Sequence, residues 1–326
     1  MRRILKGAGV VLIALVALIA AIWAFAPREP VNMAFSFKAS QLGPDLDAYL
    51  AKEEARFPDI TPGTQKRILW AGAKGAKTPW AVVYLHGYSA TSEEIRPVPD
   101  EVAHALGANL FFTRLTGHGR GGAALARATA GDWINDTAEA LAIGKRIGDR
   151  VLVISTSTGG TLAAIAATDP RLAPEVNGIV FISPDFGINN PLAFLLNWPL
   201  VRIWGPWVAG AEHSFTPLND RQARFWTTRY PTVSAVPLAA LIRKTMQQDF
   251  TRTKVPALFI YTRADKVVLP KVTDRVVAAW GGPKAVINPV MGPHDDPSSH
   301  VIAGDIVSPD QTAPTVARIL AWARAL

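Results

Sequence analysis

The sequence predicts an α/β fold, a mostly parallel central sheet with helices on both faces. Three observations carry that expectation. Apolar runs of strand length recur along the chain, helix-like segments fill most of the intervals, and glycine stands just past several of those segments, where a helix stops. Runs that are apolar throughout, without polar alternation, belong to strands buried on both sides, as in a parallel sheet wrapped by crossover helices.

The 326 residues, 49% apolar and 18% charged, suffice for a large buried core and carry too little charge for a disordered chain. Net charge is +8, but Lys and Arg are scattered, and only Arg2, Arg3 and Lys6 cluster with an evident role. No basic stripe speaks for nucleic acid. The chain has no cysteine, which excludes disulfides, thiolate metal sites and lipid attachment through Cys.

Residues 7–26 (GAGVVLIALVALIAAIWAFA) hold no charge over 20 positions. As a helix rising about 1.5 Å per residue they span roughly 30 Å, the hydrocarbon depth of a bilayer. Basic residues precede the stretch, and only Arg28 and Glu29 follow it before Lys38. The reading is an N-terminal transmembrane helix, residues 1–26, uncleaved, with its N-terminus in the cytoplasm and the rest of the chain outside. Ala24-Phe25-Ala26 has the small-x-small form of a cleavage site, so a signal peptide is the alternative, and it too exports the folded part.

Residues 27–59 read as a polar linker with an amphipathic helix from Asp45 to Phe57. A domain over 60–326 follows. Its expected strands are 66–71, 80–85, 109–115, 151–156, 178–183, 256–261 and 284–290. Helices are expected over Asp100–Leu106, Trp133–Ile147, Gly160–Thr168, Thr273–Trp280 and Pro314–Leu326. The stretch 186–250 breaks the alternation, with Phe194, Trp198, Trp204, Trp207, Phe215, Phe225, Trp226 and Tyr230 among several prolines. It is too long for a plain connection, so it reads as a cap inserted over the strand ends.

In open α/β sheets ligands bind beyond the carboxyl ends of the strands. Those ends here carry His86-Gly87-Tyr88, Thr116-Gly117-His118-Gly119, Ser157, Asp265, and finally His294 and His300. A serine becomes a nucleophile when it projects from a tight turn, a base takes its proton and backbone N–H groups face the oxyanion. The turn is tight only if the residues two before and two after are small. Around Ser157 these are Ser155 and Gly159, which fits G-x-S-x-G with serine at the first glycine. Centring the motif on Ser155 would put Val153 at a small-residue position.

Taken together, L-H-G-Y-S (85–89), T-G-H-G (116–119), S-T-S-T-G-G (155–160), Asp265 and a late histidine give a chain that resembles the α/β-hydrolase family. The resemblance is to the capped serine-hydrolase branch of monoglyceride lipases and carboxylesterases, and it covers about residues 60–326. It implies an oxyanion hole from the backbone N–H groups of Tyr88 and Thr158. It also implies His300 as base, since two apolar residues, Val301-Ile302, follow it. Asp265 is implied as the acid, with Lys266-Val267-Val268 after it. The rivals are His294 for the base and Asp185 for the acid; Asp185 is otherwise a helix N-cap. His86 and His118 read as loop-shaping residues.

Gly117, Gly119 and Gly122 spell G-x-G-x-x-G, but the acidic residue that a dinucleotide site needs falls at Glu139, within a helical pattern. His294, Asp295, Asp296 and His300 lack any established metal-ligand spacing. No cofactor and no metal are expected. The expected activity is hydrolysis of small-molecule or lipid-derived carboxylic esters with an apolar acyl group, through an acyl-enzyme on Ser157. A thioesterase, an acyltransferase or a non-catalytic binding protein on the same fold are the alternatives.

Overall fold

The computed structural model describes the backbone of residues 2–326 and side chains from Val11 onward. Among the described residues nine strands form: β1 (Arg67–Leu69), β2 (Thr78–Leu85), β3 (Asn109–Phe112), β4 (Gly148–Thr156), β5 (Gly178–Ile182), β6 (Glu212–Ser214), β7 (Arg229–Pro231), β8 (Ala257–Ile260) and β9 (Lys284–Ile287). Seven make one sheet in the order β1-β3-β2-β4-β5-β8-β9, parallel except for β1 at the edge. The strand order reverses beside β2, between β3 and β4, which opens a crevice at the carboxyl end of β4.

The two faces of the sheet feed two apolar layers, as the two-residue period of a strand requires. Val83, Val153, Ile179, Phe181 and Phe259 face one layer, built with the helices Ala130–Ile147, Thr158–Thr168, Ala235–Thr245 and Pro270–Ala279. Val82, Ile154, Val180, Ile182 and Ile260 face the other, built with Val98–Ala105 and Thr312–Ala323. Each expected helix forms, shifted by at most a few residues. The helix Ala130–Ile147 begins at a capping box, where the Thr129 side chain accepts from Asp132 N–H and Asp132 accepts from Thr129 N–H.

Three regions differ from the sequence expectation. The run 109–115 leaves the sheet after Phe112, because Arg114 turns back to a buried pair with Glu54. The segment 27–59 forms its expected helix, and what differs is that the segment packs on the domain. Its helix (Leu46–Glu54), N-capped by Asp45, buries Leu46 and Leu50 in the first apolar layer, and Leu42 joins them. In 186–250 an antiparallel hairpin, β6 with β7, stands where no strand was expected. Three-residue strands reading EHS and RYP are too short and polar to show a period. Near the end of that stretch, Ala235–Thr245 packs against the sheet's own helices through Leu238, Leu241 and Ile242.

The helix Arg2–Phe25 forms over the uncharged N-terminal run. Residues 7–10 of that run lie outside the described side chains, and among the described residues no helix is long and apolar enough to cross a membrane.

Candidate active site

Ser157 sits at the hinge between β4 and the helix Thr158–Thr168. Its backbone takes φ 51° and ψ −114°, a left-handed conformation that L-residues rarely hold. Neighbouring bonds hold it there. Ser157 N–H donates to Ile182 O at 3.1 Å, and Ser157 O accepts from Gly160 N at 2.9 Å and Asp185 N at 3.0 Å. The turn also needs Gly159, because a Cβ there would lie 2.0 Å from Leu85 O. At the other small position, Ser155 replaces the expected glycine without penalty, because its hydroxyl donates to Val180 O at 2.9 Å.

The structure brings three of the predicted side chains together. Ser157 Oγ lies 3.0 Å from His300 Nε2, and His300 Nδ1 lies 2.8 Å from Asp265 Oδ2. The other Asp265 oxygen accepts from the N–H groups of Val267 and Val268 at 2.8 and 2.9 Å, which fixes the carboxylate's rotation. With Nδ1 facing a carboxylate, that nitrogen carries the imidazole proton and Nε2 is free to accept from the hydroxyl. Burial pulls the imidazolium pKa down, but the Asp265 charge and hydrogen bond, helped by Glu94 and Asp185, outweigh it and hold His300 up at about 9.

The rival histidine stays away from this site. His294 is exposed and pairs its Nδ1 with Asp310 at 3.1 Å. Asp185, the rival acid, is buried at the end of β5 and accepts from Gly187 N at 3.1 Å, while burial pushes its carboxyl up to about 7. It lines the same cavity as Ser157 and His300 without hydrogen-bonding the imidazole.

The N–H groups of Tyr88 and Thr158 make no hydrogen bond among the described residues. Thr158 is the first residue of its helix, where an N–H has no intrahelical partner and the helix dipole favours negative charge. The peptide carrying the Tyr88 N–H is oriented by His86. Leu115 N donates to His86 Nε2 at 3.0 Å, so Nδ1 bears the proton and donates to Gly87 O at 2.9 Å. Burial lowers the His86 pKa to about 4, which keeps the ring neutral for that task. The Tyr88 ring packs edge-on to His118, Trp133 and Tyr230, and its hydroxyl donates to Ser234 Oγ at 2.7 Å.

Two further carboxylates shape the site: Glu94, which sequence reasoning missed, and Asp296, which it weighed only beside His294 and Asp295. Asp296 accepts from His300 N and Val301 N at 3.0 and 2.9 Å and so shapes the loop that presents the imidazole. Glu94 is fully buried behind Gly87, and burial pushes its carboxyl up to about 7. In sequence both stand among polar neighbours, SEE and HDDPSS, and read as surface loop; no periodicity could have found them.

The glycines of the G-x-G-x-x-G run have backbone reasons. Gly117 and Gly119 hold φ of 84° and 66°, and a Cβ on Gly122 would lie 2.5 Å from Arg229 O. Glu139 is engaged by Lys66 and by Tyr49 OH. Among the described residues no His, Cys, Asp or Glu group is arranged to hold a metal ion.

Ser157 and His300 open into a cavity of about 660 Å³. Its roof comes from residues 188–238, including Ile188, Leu192, Leu196, Phe215, Trp226 and Leu238, and among the described residues no Lys or Arg lines it.

Residues 76–287 match the family described as serine aminopeptidase, S33. The chain belongs to this α/β-hydrolase family. Solved structures similar to the hydrolase include one of the metagenome-derived lipolytic enzymes LipS and LipT, with 22% identity, TM-score 0.65, and coverage of 82% of this chain and 100% of that one. Also similar is the monoacylglycerol lipase of Paleococcus ferrophilus, at 15% identity and TM-score 0.57, covering 79% of this chain and 96% of that one. A soluble variant of monoglyceride lipase from Saccharomyces cerevisiae matches at 11% identity and TM-score 0.54, covering 82% and 97%. At these identities the structures speak for the fold of the hydrolase. No curated protein sequence matches it.

Proposed function

We propose that this hydrolase cleaves carboxylic esters with an apolar acyl group through an acyl-enzyme on Ser157. The observation that carries the reading is the unbroken hydrogen-bonded chain Ser157–His300–Asp265 at the floor of a largely apolar cavity. His300 Nε2 takes the Ser157 proton as Oγ attacks the ester carbonyl, and Asp265 stabilises the imidazolium that forms. The carbonyl oxygen, becoming an oxyanion, is received by the free N–H groups of Tyr88 and Thr158. His300 then gives its proton to the leaving alcohol. Water, deprotonated by His300, next attacks the acyl carbonyl, and the serine leaves with the proton returned.

The cavity argues for an apolar acyl chain and against an anionic handle. Its roof is aliphatic and aromatic, and among the described residues it offers a phosphate no Lys or Arg. That weighs against the thioesterase alternative for phosphorylated thiol carriers. The test is covalent labelling with a fluorophosphonate beside a nitrophenyl ester series of rising chain length. Labelling is expected in the parent and lost in Ser157→Ala, with kcat/KM rising as methylenes are added. Labelling that persists in Ser157→Ala sinks the nucleophile; a flat series sinks the acyl preference.

The reading extends to place: an uncleaved N-terminal helix holds the enzyme at a membrane, with its hydrolase domain outside the cytoplasm. The cap supports it. Residues 186–211 include one charged side chain, Arg202, and expose Phe194, Ile203, Trp207 and Val208. This face joins the base of the N-terminal helix, where Trp23 meets Trp198 edge-on at 5.1 Å and Arg202 pairs with Glu29. The full chain should stay with membranes through alkaline carbonate washing; release into the wash would count against an anchor.

A further inference from the structure

Glu94 touches none of the reacting atoms, yet it is a buried carboxyl hydrogen-bonded to the loop that carries Tyr88. Its Oε2 accepts from Gly87 N at 2.7 Å and from Tyr84 OH at 2.9 Å. Tyr84 OH in turn lies 3.1 Å from Thr156 Oγ1, on the residue before Ser157. One carboxyl group therefore ties together the loop after β2 and the end of β4. These two segments supply the two free N–H groups. Gly87 permits the arrangement, since a Cβ there would lie 2.6 Å from Glu94 Oε1.

We propose that Glu94 is a positioning residue that sets the spacing of the oxyanion donors Tyr88 N–H and Thr158 N–H. Glu94 fixes the plane of the His86–Gly87 peptide through its N–H, and His86 fixes the next plane through Gly87 O. The Tyr88 N–H lies in that second plane, trans to the carbonyl that His86 holds. With both planes held, the donor cannot swing away. The bridge from Glu94 through Tyr84 to Thr156 then locks the distance to the second donor across the β2–β4 pair. A carboxyl oxygen suits this task because it accepts two donors at one atom. Donors fixed before the substrate arrives need no rearrangement as charge develops, which is where such sites gain their rate.

The inference rests on the Ser157 reading, and the experiment separates the two. Removing an oxyanion donor outright costs on the order of 10²- to 10³-fold in kcat; misaiming one should cost less. Glu94→Ala is expected to lower kcat roughly 10- to 100-fold with KM little changed. A boronic acid that mimics the tetrahedral adduct should bind more weakly by a similar factor. A ketone-free ether analogue of the substrate, which makes no oxyanion, should bind as it does to the parent. Glu94→Gln keeps an acceptor oxygen for Gly87 N–H and should restore kcat to within about 3-fold of the parent. Tyr84→Phe, which cuts only the bridge to Thr156, should fall between the two. The proposal is overturned if folded Glu94→Ala retains parental kcat and boronate affinity. It is equally overturned if ether and boronate weaken alike, or if Glu94→Gln is as impaired as Glu94→Ala. Inactive Ser157→Ala beside fully active Glu94→Ala rejects this inference alone; active Ser157→Ala rejects the reading beneath it.

Discussion

His300 is held in the protonated form more firmly than a free imidazole, and that has a kinetic cost at neutral pH. Only the neutral ring can accept the Ser157 proton, and with its pKa near 9 most of the free enzyme is protonated at pH 7. The expected kcat/KM therefore rises about tenfold per pH unit below 9 and levels off above it, measured with an ester whose own charge does not change. Asp265→Asn removes the charge that raises the ring. The inflection should then move to lower pH while the plateau falls by about 10⁴, since the wrong tautomer and the lost countercharge both act. An inflection that stays near 9 in Asp265→Asn would show that another group sets the profile.

Among the elements, the helix Leu46–Glu54 is bound by charge as well as by apolar contact. Lys66 is buried between Asp136 and Glu139; burial lowers its pKa, but those two carboxylates outweigh it and raise it. Tyr49 from this helix donates to the same Glu139 at 2.7 Å, while Glu54 grips Arg114 at 2.7 and 2.8 Å. Removing one partner from such a cluster leaves like charges uncompensated in low dielectric. Lys66→Ala should lose about 3–5 kcal/mol in urea unfolding. Lys66→Met, which keeps the stem but not the charge, should lose nearly as much if the charge is what matters.

This layer was not legible in the sequence. The central strands were, because buried parallel strands are apolar throughout, and so was Ser157, because a tight turn demands small flanking residues. His300 over His294 came from resemblance alone; the spacing left both open. The buried charges at Lys66, Glu94 and Asp296 look like any surface lysine or acid until the chain folds. Their partners lie on separate elements, beyond the reach of any local pattern. The β6–β7 hairpin escaped for the opposite reason, having too few residues to show a pattern at all.

At the scale of the molecule, buried acids make stability fall with pH where ordinary proteins gain it. Burial raises Asp185 and Glu94 to about 7 and Asp136 to about 6. Above pH 4 the unfolded chain releases these protons while the native state keeps them. Their contribution to native stability therefore declines through the native pKa values and is flat beyond them, while His300, held up at about 9, carries the decline on from about pH 6.5 to 9. His86, lowered to about 4, acts in the opposite sense between 4 and 6.5. The clean readout is a difference. Asp185→Asn should gain on the parent between pH 4 and 7 and not further, by at most about 4 kcal/mol, followed as denaturant midpoints. A gap between variant and parent that does not change with pH would refute the buried-acid account.

The roof of the cavity, residues 188–238, enters after β5 and returns before β8 as one uninterrupted piece of chain. Ser157, Asp265 and His300 all lie outside it, on the frame. Evolution, or an engineer, can therefore exchange the part of that piece ahead of Ser234 and the helix Ala235–Thr245 and change which molecules are admitted, while those three side chains are inherited in place.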